Sequence, residues 1–126
     1  MRNIAIAAVV LVIILSLGIL DQIYIRNTFG KFDERLGDIS QMVEKDDIGS
    51  AADAAKETEE WWNSRLKLLE ILSHNRDLSN ITQEVSKLRG FLLIKNKERA
   101  QVSLHTLSVM SVNLQYVLKF RVEHLA

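Results

Sequence analysis

The 126-residue chain contains no cysteine and no proline. Without cysteine it can form no disulfide scaffold, thiolate metal site, catalytic thiol or lipoprotein anchor. Without proline it lacks the commonest helix breaker, so long helices can run without interruption. Its 16 basic and 16 acidic side chains cancel to a net charge of zero, which gives no electrostatic case for binding nucleic acid. Together these absences favour a helical protein with little reactive chemistry of its own.

Residues with catalytic or metal-binding potential are few, since the chain has only 3 histidines. No HExxH motif, glycine-rich phosphate loop or GxSxG motif occurs. His74 and Asp77 form one candidate turn site, an acid/base or ligand pair, although a histidine at a helix end also favours the helix dipole. We favour that structural role. We therefore expect no catalytic residue, no cofactor, no metal site and no enzyme activity.

One hydrophobic segment near the N-terminus stands apart from the rest of the chain. Residues 4–20 are apolar except for Ser16 and Gly18, which membrane helices tolerate. At about 1.5 Å per residue, this segment spans roughly 25 Å as a helix, the short end of what a hydrocarbon core of ~30 Å requires. We predict a transmembrane signal anchor over residues 1–25 and a helical domain over residues 26–126.

The sequence leaves the cleavage and the orientation of this segment open. Residues 16–18 could serve as a signal-peptidase site, but the run stays apolar beyond them, so we favour an uncleaved anchor. Arg2 lies on one side of the segment and Arg26 and Lys31 on the other, so basic residues alone do not set the topology. The signal-like start and Asp21 favour a single-pass protein of the cytoplasmic membrane, with its soluble domain extracytoplasmic.

Beyond the anchor, apolar residues recur at helical spacing in four runs separated by short polar turns. Short turns make antiparallel neighbours the default, so we predict an all-α fold, an antiparallel up-and-down four-helix bundle of two helical hairpins. The third run ends apolar on nearly all sides, so Leu93 and Ile94 are expected to be buried. The residues that define the runs are Phe29, Phe32, Leu36, Ile39 and Val43; Ile48, Ala52, Ala55, Glu59, Trp62, Leu66 and Leu69; Leu78, Ile81, Val85, Leu88 and Leu92; and Ala100, Leu104, Leu107, Met110, Leu114, Val117, Leu118 and Val122.

The two predicted hairpins resemble each other at an offset of 49 residues, which aligns Phe29 with Leu78. A duplicated hairpin would explain this, as would any two hairpins of similar length, and we favour the second explanation. Their charges differ. Residues 21–63 hold 5 basic and 11 acidic side chains, a net −6, and residues 64–126 hold 10 basic and 5 acidic, a net +5. Opposite charges favour docking of the hairpins on each other, which we prefer to a head-to-tail contact between molecules.

Trp61 and Trp62 are the most distinctive pair in the soluble part of the chain. Adjacent helical residues point about 100° apart, so both rings cannot lie fully in one seam. Trp62 has the core spacing, and Trp61 is the better candidate partner contact because tryptophan is enriched at binding hot spots. The other interpretation, which we favour, is a broad core face that covers both rings.

Several features along the chain form a recognisable pattern. They are the N-terminal anchor, the Glu44-Lys45-Asp46-Asp47 turn, the alanine-rich helix with Trp62, Leu68-Leu69, the His74-Asn75-Arg76-Asp77-Leu78 turn, Leu88, and the Ala100-x3-Leu104-x2-Leu107 helix. With these features the chain as a whole resembles a family of small bacterial proteins, mostly clostridial, described as a domain of unknown function. The resemblance implies a membrane-anchored helical domain in a Gram-positive-type bacterium and carries over no catalytic residues.

The expected function is a non-enzymatic interaction or scaffold module. Its expected partners are the membrane, through the N-terminal helix, and another protein or a second copy, through helix faces. The alternative is an extracytoplasmic four-helix domain that senses or binds a small molecule. That alternative requires a pocket between the helices, lined by His105 or by Arg89 and Arg99.

Overall fold

Four α-helices make up nearly all of the chain that the structure describes. The structure, a computed structural model, describes residues 2–72 and 76–125, with the side chains in these ranges except at positions 21, 72 and 117–125. The helices are α1 (Arg2–Glu44), α2 (Ile48–Leu72), α3 (Arg76–Leu93) and α4 (Lys97–Leu125). Within the described ranges no residue lies in a strand. The prediction of an all-α fold is confirmed.

Helix α1 runs without a break from the apolar segment into the packed helical part of the chain. It contains one stretch that is long and apolar enough to cross a membrane, and none of that stretch is buried against the rest of the chain. From Thr28 onward, the same helix contributes buried side chains at each turn, including Phe29 and Phe32. The two halves of α1 therefore have different surroundings, because only the C-terminal half packs against other helices.

The core lies between four helices that each pack mainly against two others. Helix α1 contacts α2 and α4, and α3 contacts the same two helices. The residues that define the spacing of the first and third runs are buried, as are Ala100, Leu104, Leu107 and Leu114 in α4. The side chains of Val117, Leu118 and Val122 lie outside the described residues. Regular 3–4 spacing identified the buried faces of the packed part of α1 and of α3 because each of these has one continuous apolar stripe.

Two parts of the core prediction were wrong. In α2 the buried face includes Ala51 and Thr58. The predicted core residues that are only partly buried are Ile48, Ala52, Glu59 and Leu66 in α2 and Met110 in α4. The spacing of apolar residues does not identify the buried face at the start of α2, because alanines lie on more than one face of its first two turns. At the end of α3, Leu93 and Ile94 are 63% and 71% exposed. They lie where the helix ends in a turn, beyond the last position that its two neighbours cover.

The turn after α1 and the turn after α3 have the same structure, 49 residues apart. Asp46 and Lys95 both adopt a φ of 58°, the left-handed conformation that commonly ends a helix. The next residue caps the following helix in each case: an Asp47 carboxylate oxygen accepts from the Ser50 backbone N–H at 3.3 Å, and the Asn96 side-chain oxygen accepts from that of Arg99 at 3.2 Å. The similarity of the two halves of the chain thus extends from the core spacing to turn geometry and capping.

Ion pairs connect the acidic first half of the chain to the basic second half. Arg89 of α3 lies 3.3 Å from Glu59 of α2, and Lys97 at the start of α4 pairs with Asp46 in the first turn. Both pairs take the acid from the first half of the chain and the base from the second. Both pairs therefore join the two halves within one molecule.

Candidate interaction site

Trp62 is the centre of an aromatic cluster that joins three helices. Its side chain is fully buried, and its ring lies 5.9 Å from that of Phe29 and 5.0 Å from that of Phe32, tilted in both cases. These centroid distances and tilted arrangements are typical of favourable aromatic pairs. The indole N–H donates to the Thr82 hydroxyl at 2.8 Å, and that hydroxyl donates to the Leu78 carbonyl at 2.9 Å. Trp62 is thus a core residue with its one polar group satisfied.

Trp61 lies at the edge of the same cluster and is half-buried. Its ring is stacked on Phe32, with centroids 6.4 Å apart and planes inclined by 14°. The Arg35 guanidinium lies 5.0 Å from the Trp61 ring centroid, within the range of a cation–π contact. Trp61 is therefore held in a defined position by α1 while part of its indole remains accessible.

Polar side chains tie α4 to its neighbours on either side. Asp33 of α1 accepts a hydrogen bond from the Ser111 hydroxyl at 2.7 Å and another from the Gln115 amide at 3.1 Å. Glu84 of α3 accepts from the Ser103 hydroxyl at 2.9 Å. Because Ser103 and Ser111 are buried on α4, these bonds fix the rotation of α4 about its own axis, and with it the face that α4 presents to solvent.

The other predicted site residues are dispersed. His74 lies outside the described residues, whereas Asp77 is exposed in the first turn of α3, where an acidic side chain favours the helix dipole. His105 is exposed on α4. Arg89 is engaged by Glu59, and Arg99 lies over the Phe91 ring at 5.9 Å. Within the described ranges, no three His, Asp or Glu side chains cluster as a metal site would require.

Comparison with known proteins assigns the chain to a family. A family model for a domain of unknown function, DUF4363, matches residues 19–125. The chain belongs to the DUF4363 family. The match begins at the end of the apolar segment and covers the rest of α1 and the other three helices. No curated protein and no solved structure matches the chain. The resemblance to a family of unknown function is thus confirmed, and the family description carries no activity with it.

Sequence reasoning missed one feature of this DUF4363 domain. Several large apolar side chains on α4 are exposed, on the side of the helix opposite its buried residues. The exposed stripe has the helical periodicity that indicates an apolar face. The buried stripe of α4 has the same periodicity, so the sequence pattern was attributed to the buried stripe alone. The exposed residues are Val102, Val109, Val112 and Tyr116.

Thr82→Val should destabilise the domain through Trp62. Valine has nearly the shape of threonine but cannot accept the indole hydrogen bond, so a buried N–H loses its partner. We expect a loss of about 1–3 kcal/mol in the free energy of unfolding, measured by denaturant unfolding of the full chain in detergent micelles. Thr106→Val is the matched control, since the Thr106 hydroxyl donates to its own helix at the Val102 carbonyl. Equal losses in the two variants would contradict the role assigned to Thr82.

Proposed function

We propose that this DUF4363 protein is a single-pass membrane protein whose helical domain acts as a non-enzymatic interaction or scaffold module. The observation that carries the proposal is the division of α1, whose apolar N-terminal stretch is wholly unburied while its C-terminal half forms part of the core. A solvent-exposed helix of that composition is unfavourable in water and favourable in lipid. The continuous helix would hold the domain at a fixed position close to the membrane surface.

The proposal includes the finer architecture, an antiparallel up-and-down four-helix bundle. Its support is the pattern of helix contacts, in which each helix packs mainly on two others, together with the short turns after α1 and α3. Residues of α1 and α2 that contact each other lie at similar distances along the chain before and after the first turn. Trp62 contacts Phe29, and farther from the turn Arg65 lies 5.7 Å from the Tyr24 ring centroid. Such spacing is expected when α2 runs back along α1.

The proposed orientation places the domain outside the cytoplasm. The support is the signal-like N-terminus and the acidic residue that follows the apolar run. A reporter enzyme that is active only in the cytoplasm, fused after Ala126, should be inactive. An active cytoplasmic reporter would reverse the orientation and leave the anchor itself intact.

The accessible edge of Trp61 is the proposed contact with a protein partner. It is the one member of the aromatic cluster that is only half-buried, and Phe32 and Arg35 hold it in place, so little conformational entropy would be lost on binding. Crosslinking in native membranes should capture a partner with the wild-type chain and markedly less of it with Trp61→Ala. Capture of the same proteins in equal amounts would remove Trp61 from the interface.

A further inference from the structure

Helix α4 carries a second stripe of residues, on the side away from the core, which we call the α4 seam. It consists of Val102, His105, Val109, Val112 and Tyr116, spaced 3, 4, 3 and 4 residues apart. All five are exposed, and the four large apolar members have exposed fractions between 44% and 74%. An exposed stripe that is apolar at four of its five positions is a candidate interaction surface.

The α4 seam can be compared with the equivalent positions of another helix in the same chain. The positions 49 residues earlier lie on α2, which is the equivalent helix of the first hairpin, and all five of them are exposed as well. There the residues are those of an ordinary solvated face, with charged or amide side chains at every position. The α2 residues are Asp53, Lys56, Glu60, Asn63 and Lys67. The apolar character of the α4 seam is therefore not a requirement of the hairpin fold.

The surroundings of the seam are uncharged over an unusual length. Residues 100–118 contain no Asp, Glu, Lys or Arg, in a chain where these types make up 25% of residues. The positions that flank the seam carry Gln101, Thr106, Ser108 and Asn113. Two identical faces of this kind can approach without repulsion between like charges, whereas the seam offers no charge to attract an acidic or basic partner.

We propose that the α4 seam is where two copies of this chain meet, as a parallel pair of α4 helices. The 3–4 spacing is that of a coiled-coil seam, with Val102, Val109 and Tyr116 at the first heptad position and His105 and Val112 at the fourth. The inference rests on the proposed anchor, because two copies inserted in one bilayer in the same sense must present their α4 helices parallel to each other.

The apolar area of the seam is small, as expected if two copies pair only when both are anchored in the same membrane. It offers on the order of a few hundred Å² of apolar surface per copy, less than the ~800 Å² that each partner contributes to a standard interface. In free solution such a surface would hold two copies together only weakly. Anchoring in the same membrane raises the effective concentration and keeps the faces aligned, so that a small seam suffices.

Cysteine crosslinking tests this pairing cleanly because the chain has no cysteine of its own. Full-length Val102→Cys and Val109→Cys variants, oxidised briefly in isolated membranes, should each form disulfide-linked dimers of this chain. We expect roughly tenfold more dimer than for Glu60→Cys, since residues that face each other across a parallel seam fall within disulfide range. Glu60 is the matched control, exposed at the position of α2 equivalent to Val109. Helical circular dichroism confirms that each variant is folded.

The crosslinking yields at positions 102, 109 and 60 distinguish the proposed pairing from its alternatives. Similar crosslinking at positions 102, 109 and 60 would indicate random collision and overturn the pairing. Crosslinking at only one of the two seam positions would contradict a parallel arrangement, and a crosslink to a chain of different mass would assign the seam to another partner. Retention in the membrane after an alkaline wash is read on the same samples. Loss of retention overturns the proposed anchor, whereas retention without seam-specific dimers overturns only the present inference.

Discussion

Trp62→Ala should lower the free energy of unfolding by about 3–5 kcal/mol, the largest loss expected from a single substitution in this domain. The indole is fully buried, and it contacts Phe29 and Phe32 of α1 while its N–H reaches Thr82 of α3. Removing it leaves a cavity where three helices meet and deprives two aromatic rings of their neighbour. Denaturant unfolding of the full chain in detergent micelles, followed by circular dichroism, measures the loss.

Trp61→Ala is the control for this result. The two tryptophans are adjacent, and their substitutions by alanine remove the same number of atoms. Trp61, however, is half-buried and contacts mainly Phe32 and Arg35. We expect a loss of roughly 1–2 kcal/mol, because only part of its surface is withdrawn from water. If Trp61→Ala costs as much as Trp62→Ala, the distinction between a core ring and an edge ring is wrong.

A double variant, Leu11→Asp with Ile14→Asp, should release most of the protein from the membrane. Both residues lie near the middle of the apolar stretch of α1, where neither is buried against the rest of the chain. A single Asp at the centre of a membrane helix costs about 2.5–3.5 kcal/mol in insertion experiments. Two together should make insertion unfavourable. The measurement is the fraction of the chain that sediments with membranes after an alkaline wash.

The matched control is Leu11→Ala with Ile14→Ala. It shortens the same two side chains without adding charge, so the variant should remain in the membrane fraction. If the aspartate variant is retained as well as the alanine variant, the apolar stretch is not what binds this protein to membranes.

The sequence predicts the core of α1 and α3 well because each of these helices has a single apolar stripe. Phe29, Ile39, Ile81 and Leu88 follow one period and are buried as expected. The prediction failed for Leu93 because an apolar residue at the end of such a run looks the same whether a neighbour covers it or not. Only the position of the helix end relative to the packed neighbours decides its burial.

The candidate site was only partly predictable, for a different reason. The spacing of Trp62 marks it as a core residue, but its hydrogen bond to Thr82 joins two helices and depends on their rotation, which local pattern does not contain. The α4 seam was hidden because Val102 and Val109 share their period with the buried residues of the same helix. Exposure, which requires the packed structure, separates the two stripes.

The most direct test of a membrane-anchored module is the location of the wild-type protein in its own cells, together with peptide mapping of its apolar segment. The protein should sediment with membranes, resist an alkaline wash, and still contain residues 4–20. A shorter chain that begins near residue 19 and is found in the soluble fraction would show that the apolar segment is a cleaved signal. That result would contradict the anchor, the fixed position at the membrane and the parallel pairing that depends on both.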